Sequence, residues 1–342
     1  MIGIGVIGLG YWGPNIVRNI ADCDGAQVVA ASDLRSDRLA AIAARYPGVR
    51  TTADAANLIR DPRVDAVVIA TPVSTHFELA MAALDAGKHV LVEKPLASSC
   101  EQGRRLIDAA ATRRLVLMVG HTFVYTGAVR KIAALVRGGE LGDLYYYDSV
   151  RVNLGVFQRD VNVIWDLAVH DLSIMDHVLP MWPSAVSATG MTHVAGRHEN
   201  IAYLTLFFEN RLIAHIHVSW LAPVKVRRTL IGGTRRMIVY DDLEPSEKIR
   251  VYDSGITVDS DPANVYELLV RYRAGDMWAP RLDATEALAT EIAHFVDCVE
   301  HGARPITDGA NGLRILQLVE AASESMASRG RLVEVAAPIA AI

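Results

Sequence analysis

The chain has 342 residues, 51% hydrophobic and 21% charged, with 34 Lys and Arg against 39 Asp and Glu, a net charge of −5. This composition can bury a large core, which excludes a disordered chain, and length suggests about two domains. The acidic balance gives no general attraction to phosphate backbones, and Arg113-Arg114, Arg227-Arg228 and Arg235-Arg236 are isolated pairs, not a basic stripe for nucleic acid.

Cys23, Cys100 and Cys298 are far apart and lack Cys-x-x-Cys spacing, which argues against a disulfide framework or structural zinc and fits a reducing cytosol. No apolar run reaches the roughly 20 residues of a membrane span. The apolar start Met1–Ile7 has no cationic leader and runs straight into Gly8-Leu9-Gly10, so it does not read as a signal peptide. We therefore expect a soluble, cytoplasmic protein.

Up to about residue 120 the chain alternates β-rich and helical stretches. Strands are predicted at Ile2–Ile7, Gln27–Ser32, Ala66–Ala70, His89–Val92 and Leu115–Val119, with helices at Asn15–Ala21, Asp37–Arg45, Thr75–Ala86 and Cys100–Thr112. Unbroken Val/Ile/Leu runs linked by helices predict an α/β fold with a doubly wound parallel sheet. After about residue 122 come a helix at Ala128–Arg137, a segment Asp143–Asn153, a helix around Trp165–Leu179, and strands at Ser184–Met191, Ile201–Phe208, Arg211–Ser219, Val226–Ile231 and Met237–Tyr240. Strands in series mean an antiparallel sheet, hence a second, α+β domain, and Glu209-Asn210 reads as a hairpin turn. Two helices, Ala284–Glu300 and Gly312–Ser328, close the chain, and we expect domains at 1–122 and 123–342.

Gly8-Leu9-Gly10-Tyr11-Trp12-Gly13 is a G-x-G-x-x-G turn between the first strand and the first helix, and Asp33 stands 23 positions beyond Gly10 at the end of the second strand. Glycine permits the tight turn, the approach of backbone to a pyrophosphate and close helix packing, with phosphate at the helix N-terminus. In this context the motif predicts a dinucleotide site. Asp33 should accept from a ribose diol and repel a 2′-phosphate, which favours NAD over NADP, although Arg35 and Arg38 could offset that repulsion.

Two further segments lie at strand carboxyl ends, where ligands bind in such sheets: Ala70-Thr71-Pro72 with His76, and Glu93-Lys94-Pro95. A lysine there can orient or deprotonate a hydroxyl. In the second domain Asp166 and His170 are four residues apart and share a face if the segment is helical. The imidazole can carry a proton and the carboxylate can set its tautomer. Three readings stay open for this pair: acid/base chemistry, a helix cap with a core histidine, or metal ligation, for which no Cys or second His stands at the right spacing.

Together these residues, with a closing Thr307-Asp308-Gly309, resemble the Gfo/Idh/MocA family (glucose–fructose oxidoreductase, inositol dehydrogenase, rhizopine catabolism) over nearly the whole chain. The resemblance implies a Rossmann domain followed by an α+β domain whose open, mostly antiparallel sheet mediates dimers or tetramers. It implies hydride transfer between a nicotinamide and a secondary alcohol of a sugar or cyclitol, with Lys94 catalytic and Asp166 with His170 as acid/base pair. Cofactor contacts are then expected at Gly8, Gly10, Tyr11, Trp12, Gly13, Asp33, Arg35, Thr71, Pro72, His76, Glu93, Lys94 and Pro95, and no metal.

Gly10-Tyr11-Trp12-Gly13-Pro14-Asn15, Gly120-His121-Thr122-Phe123, Asn153-Leu154-Gly155, Trp165-Asp166-Leu167 and Tyr240-Asp241-Asp242-Leu243-Glu244-Pro245 are similar to the branch that oxidises position 3 of sugar nucleotides or aminosugars. In that branch the keto sugar goes on to transamination in polysaccharide or antibiotic pathways. Many relatives place an arginine three or four residues after the junction glycine, where this chain has Phe123 and Val124. Candidate substrate contacts are His121, Arg151, Asn153, Asn162, Trp165, Arg227 and Trp278, whose donors and flat faces suit a pyranose or uridine ring. His215 and His217 share a strand face and are expected to meet a partner subunit. Three other readings compete: an NADPH-dependent ketoreductase of a deoxysugar pathway, a free-cyclitol dehydrogenase, and a non-catalytic NAD-binding regulator.

Overall fold

In the computed structural model, residues 1–155, 160–194, 198–259 and 269–337 are described. The chain divides into two compact units, Met1–Thr126 with Thr285–Glu320, and Gly127–Ala284 with Ala321–Ala337.

In the first unit the elements run β1 (Ile2–Ile7), α1 (Gly13–Ala21), β2 (Ala26–Ser32), α2 (Ser36–Arg45), β3 (Arg50–Thr52), α3 (Ala55–Ile59), β4 (Ala66–Ile69), α4 (His76–Asp85), β5 (His89–Glu93), α5 (Cys100–Arg113) and β6 (Leu117–Gly120). The strands form one six-stranded sheet in the order β3-β2-β1-β4-β5-β6, every pairing parallel. All of Ala66–Ile69 is buried, as an unbroken apolar run between two helix layers requires. The order reverses between β1 and β4, and in such sheets ligands bind at the carboxyl ends beside that switch point.

The second unit contains α6 (Gly127–Arg137), β7 (Leu144–Leu154), a π-helical turn Ile164–Ala168, α7 (Val169–Val178), β8 (Ala185–Met191), β9 (Ile201–Phe207), β10 (Ile213–Ser219), β11 (Leu221–Gly233), β12 (Met237–Asp241), β13 (Ile249–Tyr252), β14 (Gly255–Asp259), β15 (Leu269–Arg273) and β16 (Met277–Trp278). Among these residues β13 to β16 carry no expectation from sequence. With β17 (Val333–Glu334) they form a nine-stranded sheet, β16-β13-β12-β11-β7-β10-β9-β8-β17, and a separate β14-β15 hairpin. All its pairings are antiparallel except β7 with β10. The hairpin around Glu209-Asn210 forms as expected, pairing Ile213 with Phe207 and Ser219 with Ile201. Ala202, Leu204, Leu206, Ala214, Ile216 and Val218 point inward, while His215 and His217 stand on the other face.

The closing helices α8 (Ala287–His301) and α9 (Gly309–Ala327) differ from the expected division at residue 122. Leu288, Ile292, Phe295 and Val296 form an apolar stripe on α8 that joins Ile16, Val17 and Ile20 of α1 in the core of the first unit. Burial of that stripe outweighs sequence distance, so α8 completes the parallel-sheet unit although more than 150 residues of the other unit intervene. Phe295 is fully buried. Phe295→Ala is expected to destabilise the first unit by about 3–5 kcal/mol, read as a lowered urea midpoint.

Candidate active site

The loop from Gly8 to Gly13 sits at the carboxyl end of β1, beside the switch point. Gly8 has φ +96°, and a Cβ there would lie 2.5 Å from the Ala70 carbonyl oxygen; a Cβ on Gly13 would lie 2.2 Å from that of Gly8. These two glycines are demanded by the turn and by helix packing. At Gly10 a Cβ would meet only Arg38 Nη1, at 3.8 Å, so the second glycine faces open space. Helix α1 begins there with no side-chain cap on its first N–H groups, and Tyr11 and Trp12 are exposed. Uncapped N–H groups at a helix start, next to open backbone, form a cradle for a diphosphate.

Asp33 closes this cradle. Its Oδ2 accepts from Leu9 N–H at 2.7 Å and from Arg38 Nη1 at 3.2 Å, and its Oδ1 accepts from Arg35 N–H at 2.9 Å. Burial pushes its carboxyl up, but the two backbone donors and the Arg38 guanidinium outweigh burial and hold it below the usual carboxylate range. Arg35 is paired with Asp37 at 2.5 Å. Both arginines that could have offset repulsion of a 2′-phosphate are thus engaged by carboxylates. The residues fit NAD.

At the ends of β4 and β5 the chain is cross-tied by His76, which is 1% exposed. Its Nδ1 lies 2.8 Å from the Pro95 carbonyl oxygen and its Nε2 2.9 Å from that of Thr71. The ring lies between Thr71-Pro72 and Lys94-Pro95 with a backbone oxygen at each nitrogen, and the nitrogen that carries the proton donates. Lys94 follows β5 directly, and its N–H donates to Glu93 Oε2 at 3.2 Å. Loss of hydration raises the Glu93 carboxyl to about 7, partly opposed by Lys94. His121, at the end of β6, is 1% exposed; burial first, and Lys94 second, lower its pKa to about 3. It is a buried neutral imidazole.

In the second unit, Asp166 lies in the π-turn and His170 in the first turn of α7. A π-turn inside a helix is a frequent mark of a functional site. Asp166 Oδ2 accepts from Trp220 Nε1 at 3.0 Å, and Trp220 is 1% exposed. Asn162 supplies the start of the segment, its Oδ1 accepting from Ile164 N–H at 3.1 Å and Trp165 N–H at 3.3 Å. Trp165 Nε1 donates to Ser323 Oγ at 3.0 Å.

Several of the expected substrate contacts have partners within the fold. Arg151 is 3% exposed, and its Nε donates to Asp171 Oδ2 at 2.6 Å, with Nη2 to Oδ1 at 3.3 Å. Ser149 Oγ donates to the same Asp171 Oδ1 at 2.6 Å. The Arg151 side chain anchors α7 to β7, one residue after His170. Asn162 is likewise a helix cap, Arg227 donates to Asp242 Oδ2 at 3.1 Å, and the Arg236 guanidinium lies 5.9 Å from the Trp278 ring centre. Asn153 remains half-buried on β7.

Residues 2–121 match the model described as oxidoreductase family, NAD-binding Rossmann fold, and residues 129–239 match the C-terminal domain model of the same Gfo/Idh/MocA group. The UDP-N-acetylglucosamine 3-dehydrogenase of Acidithiobacillus ferrooxidans is 31% identical over 322 residues, 91% of this chain and 93% of the relative. The chain belongs to the Gfo/Idh/MocA oxidoreductase family. It is an NAD-dependent enzyme of that family. The myo-inositol 2-dehydrogenase of Thermotoga maritima is 26% identical over 94% of this chain and 96% of that protein. An inositol 2-dehydrogenase of Saccharopolyspora erythraea is 34% identical over 67% and 70%. The solved structure of the A. ferrooxidans enzyme has TM-score 0.79 at 27% identity, over 96% of this chain and 99% of that one. A levoglucosan dehydrogenase with NADH and levoglucosan has TM-score 0.82 at 22% identity and shows the shared fold.

Sequence reading missed Trp220 and Asp171. Trp220 and Asp171 act through partners 54 and 20 residues away, which no local spacing reveals. Removing one member of the Arg151–Asp171 pair strands the other charge. Arg151→Leu is expected to cost about 3–5 kcal/mol in urea unfolding, much of it regained in Arg151→Leu/Asp171→Leu.

Proposed function

We propose that this chain oxidises a secondary hydroxyl, at C3, of a sugar nucleotide or aminosugar to the ketone, ahead of a transamination in polysaccharide or antibiotic assembly. The observation that carries this reading is Lys94 at the carboxyl end of β5, tied through His76 to the loop after β4, on the same sheet edge as the Gly8–Gly13 cradle. The 31% identity to a UDP-N-acetylglucosamine 3-dehydrogenase over nearly the whole chain supports the substrate class.

Bound at the cradle, NAD supplies the two-electron acceptor. The chain's own residues position the alcohol and move its proton. The carbon-bound hydrogen leaves with its electron pair and the hydroxyl hydrogen leaves as a proton, so one base suffices and no covalent intermediate is needed. We assign that proton to Lys94 or His170. Asp166, held by Trp220, orients the His170 end, and the Arg151–Asp171 anchor fixes the start of α7 beneath it. The ammonium or imidazolium that results is the acid for the reverse direction.

A cyclitol substrate is the second reading, favoured by the inositol dehydrogenases among the relatives. A panel of UDP-N-acetylglucosamine, free aminosugars and myo-inositol, followed by NADH absorbance, separates the two: turnover of a nucleotide sugar or aminosugar supports the first, and turnover of inositol alone overturns it. Lys94→Ala and His170→Ala should each lower kcat about 10²–10⁴-fold; activity within a few-fold of the parent rejects the assigned roles. For self-association we propose the outward face of the nine-stranded sheet, where Tyr203 (42% exposed) stacks on His217 at 4.4 Å beside exposed Phe207 and Ile213. Tyr203→Glu should then shift the eluting species to a smaller one in size-exclusion chromatography.

A further inference from the structure

Helix α8 carries a carboxyl that the dehydrogenase reading leaves unused. Glu291 is 1% exposed, on the buried stripe with Leu288, Ile292 and Phe295. Thr122 Oγ1 donates to its Oε2 at 2.7 Å, and among the described residues its Oε1 has no hydrogen-bond partner. A carboxylate so placed has lost its hydration for a single neutral donor, and such a site favours the uncharged acid.

A second carboxyl lies at the adjoining strand ends. Glu93 is the last residue of β5 and pairs with Gly120 of β6. A Cβ on Gly120 would sit 3.2 Å from Glu93 Cδ, so the Glu93 carboxyl packs directly on that glycine. Thr122, which holds Glu291, follows Gly120 by two residues. One turn of chain thus touches both carboxyls, and Lys94 is the neighbour of one of them. A single ammonium balances one negative charge, not two.

We propose that Glu291 is a positioning residue that acts through Glu93: it keeps its proton, so that Glu93 alone carries the negative charge beside Lys94. A second anion there would hold a proton on a neighbouring amine and weaken it as a base. The inference rests on the proposed role of Lys94. The charged and titratable groups around the pair agree with it. Burial first, and Glu93 second, raise Glu291, whereas burial raises Glu93 only to about 7, with Lys94 opposing it, so that Glu93 is the carboxyl that ionises first. His121 is neutral, Tyr125 on the turn after β6 is pushed above its usual range by burial, and burial lowers His294, three residues along α8. Arg18 of α1 is already paired with Glu286 at 2.7 Å.

A carboxyl with a raised folded pKa contributes stability that is fully present below its unfolded value, about 4.3, and is lost as the pH rises through the folded value. In urea unfolding of the full chain, Glu291→Gln should therefore gain on the parent by up to about tenfold in the unfolding constant per pH unit across that window. A pH-independent ratio, or one of opposite sign, overturns the proposal. Infrared spectra at about pH 8, above the Glu93 value of about 7, should show the carbonyl stretch of a protonated acid in the parent. That band should be lost in Glu291→Gln and shifted in Thr122→Val, which removes the donor to Oε2; a band unchanged in both overturns the proposal. In turnover of whichever panel sugar is oxidised, Glu291→Ala admits water beside Glu93 and Lys94, which favours both charged forms, and should move the acid limb of kcat/KM, the loss of the proton from Lys94, up by about one pH unit. An unmoved limb rejects the positioning role. Failure of the dehydrogenase reading itself would show differently, as no NADH from any sugar with the infrared and urea results intact.

Discussion

A parallel sheet covered by helices on both faces leaves its strand ends as the place where backbone can meet a ligand, and the functional part of the first unit follows from that constraint. The order reverses between β1 and β4, so the loops after those strands diverge and leave backbone N–H groups uncovered. Gly8 is there because the Ala70 carbonyl leaves no room for a side chain, and Gly10 because the space beside it is open. Asp33 closes the cradle by accepting from the turn itself at Leu9. Bulk charge then matters little. A chain of net charge −5 can hold an anionic dinucleotide because oriented N–H groups and a helix terminus supply the local positive field.

Beyond the cradle, the site residues are held by buried polar partners, and these partners solve the problem of burial in two ways. Arg151 and Asp171 are paired through two hydrogen bonds, with Ser149 adding a third to Asp171, so opposite charges meet and serve as an anchor. Glu291 is bonded, among the described residues, by the Thr122 hydroxyl and no cation, and burial pushes its carboxyl up, which favours the neutral acid proposed above. His76 is a third case, in which an imidazole ties two loops through carbonyl oxygens. Each device fixes backbone next to a residue of the proposed site: His170 beside Asp171, Lys94 beside Glu93, Thr71 and Pro95 on either side of His76.

Sequence by itself determined the parts of this protein that depend on local chain physics. The glycine turn, the parallel strands as unbroken apolar runs and the hairpin at Glu209-Asn210 are all legible from neighbours a few residues apart, and so is the spacing that makes Lys94, Asp166 and His170 candidates. Tertiary structure decided the rest. Helix α8 joins the first unit because its Leu288, Ile292 and Phe295 stripe fits the core around α1, and an amphipathic stripe carries no label for the core it will enter. Arg151 looks like a ligand contact in sequence and is an anchor in the fold, since its role depends on Asp171 lying opposite it on another element. Glu291 looks like an ordinary helical glutamate, and only burial and the Thr122 bond mark it out. Backbone motifs are written in consecutive residues, whereas the state of a buried charge depends on what long-range packing places against it, and that is set only when the chain has folded.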